Sequence, residues 1–213
     1  MRIISGEAKG RVLKTREGKG TRPTDSRSRE MLFNILSTRV EGARFLDLYA
    51  GNGGVGLEAL SRGAAHCVFV EQNAVAAAII RENLKTCGWQ ERAQVWHASV
   101  KSALHRFAEM HAAGVNDDLT RFDIVFADPP FTAPRELDDL AARLDNAPWL
   151  LHNGTGQNGP ALVLLVVQHH RKAVFRTEKI SVFDARRAGE STLSFCRPSA
   201  QIQTETNPEG GLP

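Results

Sequence analysis

The sequence predicts an α/β fold: a mostly parallel, seven-stranded sheet with helices on both faces, preceded by a small β-hairpin and helix. Three observations carry this. Five short apolar runs between residues 44 and 167 alternate with helical patterns, as in a parallel sheet covered on both sides. A glycine-rich turn follows the first of these runs. Two further apolar runs near the C-terminus have no helix between them, which predicts an antiparallel pair closing the sheet.

The elements follow in order. Ile3-Ile4 and Val12-Leu13 flank a basic, Gly-containing turn and predict the hairpin. Gly18, Gly20 and Pro23 mark a loop. Thr24 or Asp25 caps a helix from about Ser26 to Thr38, with Met31, Leu32, Ile35 and Leu36 on one face. Strands are expected at 44–49, 66–71, 94–97, 122–127 and 161–167. Helices are expected at 54–62, 74–86, 100–112 and 135–144. The closing pair is 178–184 and 192–196, joined through Arg186–Glu190. The chain thus divides into a basic extension at 1–40, a main domain at 41–198 and a polar tail at 199–213 expected to be disordered.

With 42% apolar and 24% charged residues among 213, the chain has the composition of a globular domain with a real core. Its net charge of +3 is unevenly spread: residues 1–40 carry +6 and the remainder −3. A basic arm on a mildly acidic body is the asymmetry of a polyanion binder. Arg11, Arg22 and Arg29 are the candidate phosphate contacts, a salt-bridging surface role being the alternative. Cys67, Cys87 and Cys196 form neither a disulfide framework nor a metal-ligand spacing, so no metal is expected. The N-terminus has no secretion signal, and the apolar run Ala161–Val167 is too short to span a bilayer. A cytoplasmic monomer without membrane contact is expected.

The first strand-to-helix turn holds Gly51, Gly53 and Gly56 as G-x-G-x-x-G. Such a turn lets a ligand approach backbone beyond the strand ends, although helix–strand packing alone can also require it. Glu71 ends the second strand and suits the two hydroxyls of a ribose, in either a nicotinamide dinucleotide or S-adenosylmethionine. Asp47 lies just before the turn. A carboxylate there repels a pyrophosphate and accommodates a cationic amino-acid moiety, or instead caps backbone amides of the turn.

The fourth strand delivers Asp128-Pro129-Pro130-Phe131 to the same edge. Prolines remove amide donors, so the turn presents carbonyls. This suits transfer to an amine on a heteroaromatic ring, whose lone pair is delocalised. Two acceptors, the Asp128 carboxylate and the Pro129 carbonyl, can draw on its hydrogens and free that pair, and Asp128 stabilises the developing charge. Phe131 can stack on the base and align it. The base must be unpaired or flipped out.

These features resemble the bacterial 16S ribosomal RNA guanine-N2 methyltransferase D family, of the class I, Rossmann-like methyltransferases. The matching stretches are Arg2-Ile3-Ile4-Ser5-Gly6, Gly10-Arg11, Arg22-Pro23-Thr24, Arg29-Glu30-Met31-Leu32-Phe33-Asn34, the run Leu46 to Gly53, the run Gly56 to Gly63, Glu71 and Asp128-Pro129-Pro130-Phe131. The resemblance implies S-adenosylmethionine as donor and a guanine N2 in ribosomal RNA, or in an assembling small subunit, as acceptor. It implies that Asp47, Gly51, Gly53 and Glu71 contact the cofactor, that Ser99 and Val100 lie near its adenine, and that Asp128, Pro129, Pro130 and Phe131 form the catalytic turn. It also implies that the hairpin and the Arg22-Pro23-Thr24 segment hold RNA and close over the cofactor. The sequence departs from the family at Asn52, at Asp25-Ser26, at Arg187-Ala188-Gly189-Glu190, and at Gln168-His169-His170, where an acidic residue is expected. The residues alone also permit an adenine-N6 or glutamine methyltransferase, a NAD-dependent oxidoreductase, or a non-catalytic RNA-binding protein.

Overall fold

The computed structural model describes residues 1–16, 26–115, 120–131, 133–151 and 163–199. Its elements in chain order are α1 (Ser26–Leu36), β1 (Arg44–Leu48), α2 (Gly54–Ser61), β2 (His66–Glu71), α3 (Ala74–Cys87), β3 (Ala93–His97), α4 (Val100–Ala112), β4 (Ile124–Ala127), α5 (Pro134–Asp145), α6 (Pro148–Leu151), β5 (Leu164–His170), β6 (Ile180–Ala188) and β7 (Ser191–Pro198). The seven strands form one sheet in the order β3-β2-β1-β4-β5-β7-β6. The first five are parallel, and β7 runs antiparallel to both β5 and β6. No helix among the described residues is long and apolar enough to cross a membrane.

Strand alternation sorts the core into two layers. Phe45, Phe69 and Phe126 face Leu32, Phe33, Leu57 and Ile80, so α1, α2 and α3 cover one side. Leu46, Leu48, Val68 and Val70 face Phe107, Leu140 and Leu150, so α4, α5 and α6 cover the other. The strand order reverses between β1 and β4. Their carboxyl ends therefore open onto the crevice where ligands bind in such sheets.

Several local expectations are corrected. Helix α1 buries Leu32, Phe33 and Leu36, while Ile35 stays 38% exposed, because Phe33 packs onto Phe45. Its expected caps, Thr24 and Asp25, lie outside the described residues, as does most of the expected tail. Strand β5 extends to His170, beyond the apolar run. Gln168, His169 and His170 pair with Leu193, Thr192 and Ser191, and the buried His169 ring finds Ser194 Oγ at 2.9 Å rather than solvent. Burial lowers the His169 pKa. Arg186, Arg187 and Ala188 are strand residues and not a connection. The turn is Gly189-Glu190, with Gly189 at φ 59°.

The N-terminal hairpin is reduced to a single bridge, Arg2 to Val12, and is docked rather than extended. Ile3 and Leu13 are each 2% exposed and join the core. Gly6, at φ 84°, lies so close to Ser61 that a Cβ would fall 1.8 Å from its carbonyl oxygen, so only glycine fits. The fully buried Glu58 carboxylate accepts the Ile4 and Ser5 amides at 2.8 and 2.9 Å and Arg62 Nε at 2.9 Å. Arg29 Nε stands 3.7 Å from the same carboxylate. Removing this anion leaves buried donors and cations uncompensated, at a cost of about 3–5 kcal/mol. Glu58→Ala is therefore expected to lose that much stability in urea denaturation and to speed amide exchange at Ile4 and Ser5. A loss below about 1 kcal/mol with unchanged exchange would contradict the clamp.

Candidate active site

The first strand-to-helix turn holds three left-handed residues: Tyr49 at φ 61°, Gly51 at φ 55° and Gly53 at φ 79°. Gly53 precedes α2 as its cap. Two carboxylates fix this turn from below. Asp47 is 1% exposed, and its Oδ2 accepts the Gly56 amide at 2.9 Å. Gly56 must lack a side chain, since a Cβ would meet the Phe69 ring at 2.3 Å. Glu71, at the end of β2, accepts the Gly51 amide at 2.7 Å through Oε2 and the Asn73 amide at 2.6 Å through Oε1. Each carboxylate oxygen retains further acceptor capacity beyond one hydrogen bond.

Beside Glu71, Ser99 caps α4 by accepting the Ser102 amide at 3.2 Å, and Val100 is buried in the core beneath. From β4 comes the turn Asp128 to Phe131. The Asp128 amide donates to Leu48 O at 3.4 Å, which ties this turn to the end of β1. Pro129 is buried, Pro130 exposed and Phe131 half-buried. Phe131 meets His170 edge-on, with ring centroids 5.8 Å apart. The fold therefore gathers the turn at Gly51 and Gly53, Glu71, Ser99 and Asp128–Phe131 along one sheet edge.

The charge at this edge is negative. Burial pushes the Asp47 carboxyl up to about 8; the Gly56 amide opposes this, while the nearby charges of Asp128 and Glu71 add to it. Of the two roles open for Asp47, capping the turn is the one its burial and its Gly56 bond display. It serves the turn as a buried hydrogen-bond acceptor, its carboxyl holding a proton up to about pH 8.

Three contributors were not singled out from sequence. Tyr49 donates from its hydroxyl to Glu136 Oε1 at 2.7 Å, joining the glycine turn to α5. Asn52 Oδ1 accepts the Arg16 amide at 3.3 Å, bringing the N-terminal segment onto the glycine turn. Gln168 Nε2 donates to Asp128 Oδ2 at 3.3 Å. Asn52 and Gln168 stood out only as departures from a family pattern; their contacts depend on elements remote in sequence.

The candidate phosphate contacts fare differently. Arg29 is a correction: it is 3% exposed, donates from Nη2 to Arg2 O at 2.9 Å and sits by Glu58, so it holds the N-terminal segment instead of reaching RNA. Arg11 is exposed but bonds the Thr86 carbonyl at the end of α3. Arg22 lies outside the described residues. Exposed cations at the same end of the sheet are Arg171, paired with Glu190, and Lys172, just after β5, and Arg186, paired with Asp184, and Arg187 on β6. Arg187 and His169 both pair with Thr192, which places β6 two strands from β5 at the same end of the sheet.

A family model described as "Conserved hypothetical protein 95" matches residues 1–197. The chain belongs to this family. "Putative rRNA methyltransferase YlbH" of Bacillus subtilis is 37% identical over 172 residues, covering 81% of this chain and 84% of that one. "Ribosomal RNA small subunit methyltransferase D" of Escherichia coli K12 is 35% identical over 150 residues, covering 70% and 69%. A solved structure described as "Putative methyltransferase yhhF from Escherichia coli" superposes with a TM-score of 0.70 at 30% identity, covering 94% of this chain and 99% of that one. The fold is that of the class I methyltransferases, as the strand order and these neighbours agree.

The raised Asp47 pKa has a consequence for stability. Its folded value of about 8 lies above the ordinary 3.8, so the fold favours the protonated form. The stability this group contributes is complete below about pH 4 and is lost as pH rises towards about 8. Urea denaturation across that window is expected to show stability falling with pH, with a shallower fall in Asp47→Asn. Equal slopes in the two proteins would contradict the assignment.

Proposed function

We propose that this protein transfers a methyl group from S-adenosylmethionine to the exocyclic N2 amine of a guanine in small-subunit ribosomal RNA. The observation that carries the reading is the meeting of a carboxylate-lined glycine turn with Asp128-Pro129-Pro130-Phe131 at one crevice.

The residues present fit the donor. Glu71 and Asp128 bring carboxylates to the crevice and act on Asp47 electrostatically, so the crevice favours a cationic ligand and opposes a pyrophosphate. Adding a Cβ at Gly51 would meet nothing within 4 Å, so its backbone faces open space that a ligand can approach. Glu71 would take the ribose hydroxyls on its remaining lone pairs. The Gly51 and Gly53 backbone would line the amino-acid moiety, and Ser99 and Val100 the adenine. Asp47 would hold the turn in shape through the Gly56 amide. When bound, the donor supplies a methyl carbon activated by a sulfonium: the nitrogen–carbon bond forms as the carbon–sulfur bond breaks, and that electron pair stays on sulfur.

The chain's own part is positioning and electrostatics. Asp128 accepts a hydrogen bond from the amine, and the Pro129 carbonyl offers a second acceptor, so the nitrogen lone pair is released from the ring. As positive charge develops, Asp128 stabilises it and takes up the surplus proton. Phe131, in T-shaped contact with His170, would stack on the base. The relatives named as ribosomal RNA methyltransferases support an RNA substrate. So do the exposed cations Arg171, Lys172, Arg186 and Arg187, which would meet phosphates flanking the target. The guanine assignment rests on the family resemblance.

The test uses labelled donor and ribosomal RNA or small subunits from cells lacking the protein, with products resolved as nucleosides by mass spectrometry. N2-methylguanosine is expected. Asp128→Ala is expected to lose at least about 100–1,000-fold in turnover measured at saturating donor. N6-methyladenosine as product, or full turnover by Asp128→Ala, would contradict the reading.

A further inference from the structure

We infer that Gln168 reads the ring nitrogen beside the reacting amine, and so selects a base that carries an N–H there. This rests on the methyltransferase reading above and deepens it. Ala127 pairs with Val167, so the next residues along β4 and β5, Asp128 and Gln168, are neighbours at the sheet edge. Gln168 is 4% exposed. Its Nε2 donates to Asp128 Oδ2 at 3.3 Å. A carboxylate only accepts hydrogen bonds, so the amide must turn its NH2 end to Asp128. The other end, Oε1, is then buried and has no hydrogen-bond partner among the described residues.

A buried carbonyl without a donor is costly, and one beside a reactive group calls for a functional account. The Gln168 amide acts as a bracket: Nε2 fixes Asp128, and Oε1 stands next to it as a second acceptor. The matching ligand edge has two donors side by side. Guanine presents that edge, its N2 amine adjoining the N1–H. Adenine does not, since its N6 amine adjoins a bare N1 lone pair that Oε1 would repel. A glutamine thus does two things where a carboxylate would do one: it donates to the group that grips the amine and accepts from the neighbouring ring nitrogen.

The test replaces the target guanine in a short ribosomal RNA fragment with 2,6-diaminopurine. That base keeps the N2 amine and lacks the N1–H. Single-turnover rates and donor-free equilibrium binding of both RNAs are measured for the full chain. Wild type is expected to prefer guanine by roughly 10- to 100-fold. Gln168→Met, similar in length and without polar atoms, is expected to slow both RNAs, since Asp128 loses its bracket, and to lose the preference between them. Gln168→Glu keeps the acceptor and is expected to keep the preference, with its rate optimum moved to higher pH by the adjacent carboxylates. Wild type using both RNAs equally would overturn the inference whatever the variants do. So would Gln168→Met retaining the preference. Methylation of neither RNA by wild type would instead overturn the underlying reading of the site.

Discussion

Two strand-end carboxylates holding one glycine turn are the constraint on which the rest depends. Asp47 takes the Gly56 amide and Glu71 takes the Gly51 amide, so the turn is gripped at both ends. Backbone with left-handed residues at Tyr49, Gly51 and Gly53 has few ways of its own to satisfy those amides. The price is a buried carboxyl: burial, with a lesser part from the charges of Asp128 and Glu71, pushes the Asp47 pKa up. The charges of Glu71 and Asp128 make the crevice hospitable to a cation. Stability of the turn and choice of ligand thus come from one arrangement.

The N-terminal segment belongs to this arrangement rather than hanging from it. Glu58 on α2 collects the Ile4 and Ser5 amides and neutralises Arg29 and Arg62. Helix α2 begins at the glycine turn, so the clamp and the turn share one helix. Asn83 continues the attachment, accepting the Lys14 amide at 2.9 Å and donating to the Lys14 carbonyl at 3.0 Å. Asn52 then takes the Arg16 amide, which brings the segment onto the glycine turn. Basic charge in this region serves partly to hold the protein together, which a count of cations cannot distinguish from RNA binding.

The sheet and the principal site residues were legible because they follow local rules. Apolar runs of strand length, a glycine turn after the first and carboxylates at strand ends are all short-range signals, and the places of Asp47, Glu71 and Asp128 at one end of the sheet follow from them. The misplaced features depend on distant partners. Arg29 is buried because Glu58 lies on a helix nearly thirty residues away. Gln168 to His170 continue β5 because β7 supplies their partners, and no pattern in the run itself announces that. Tyr49 tolerates positive φ in a context where its hydroxyl reaches Glu136 on α5. Where a residue's environment comes from another part of the chain, periodicity is silent and a family departure is the only visible mark.

The claim that charge at the crevice selects its ligand is tested most directly by calorimetric titration of the full chain with S-adenosylmethionine and, separately, with NAD. Both ligands offer an adenosine for Glu71, and they differ in presenting a sulfonium or a pyrophosphate to the carboxylate-lined turn. The account predicts saturable binding of S-adenosylmethionine and none of NAD at the same concentrations. Binding of NAD without binding of S-adenosylmethionine would contradict it.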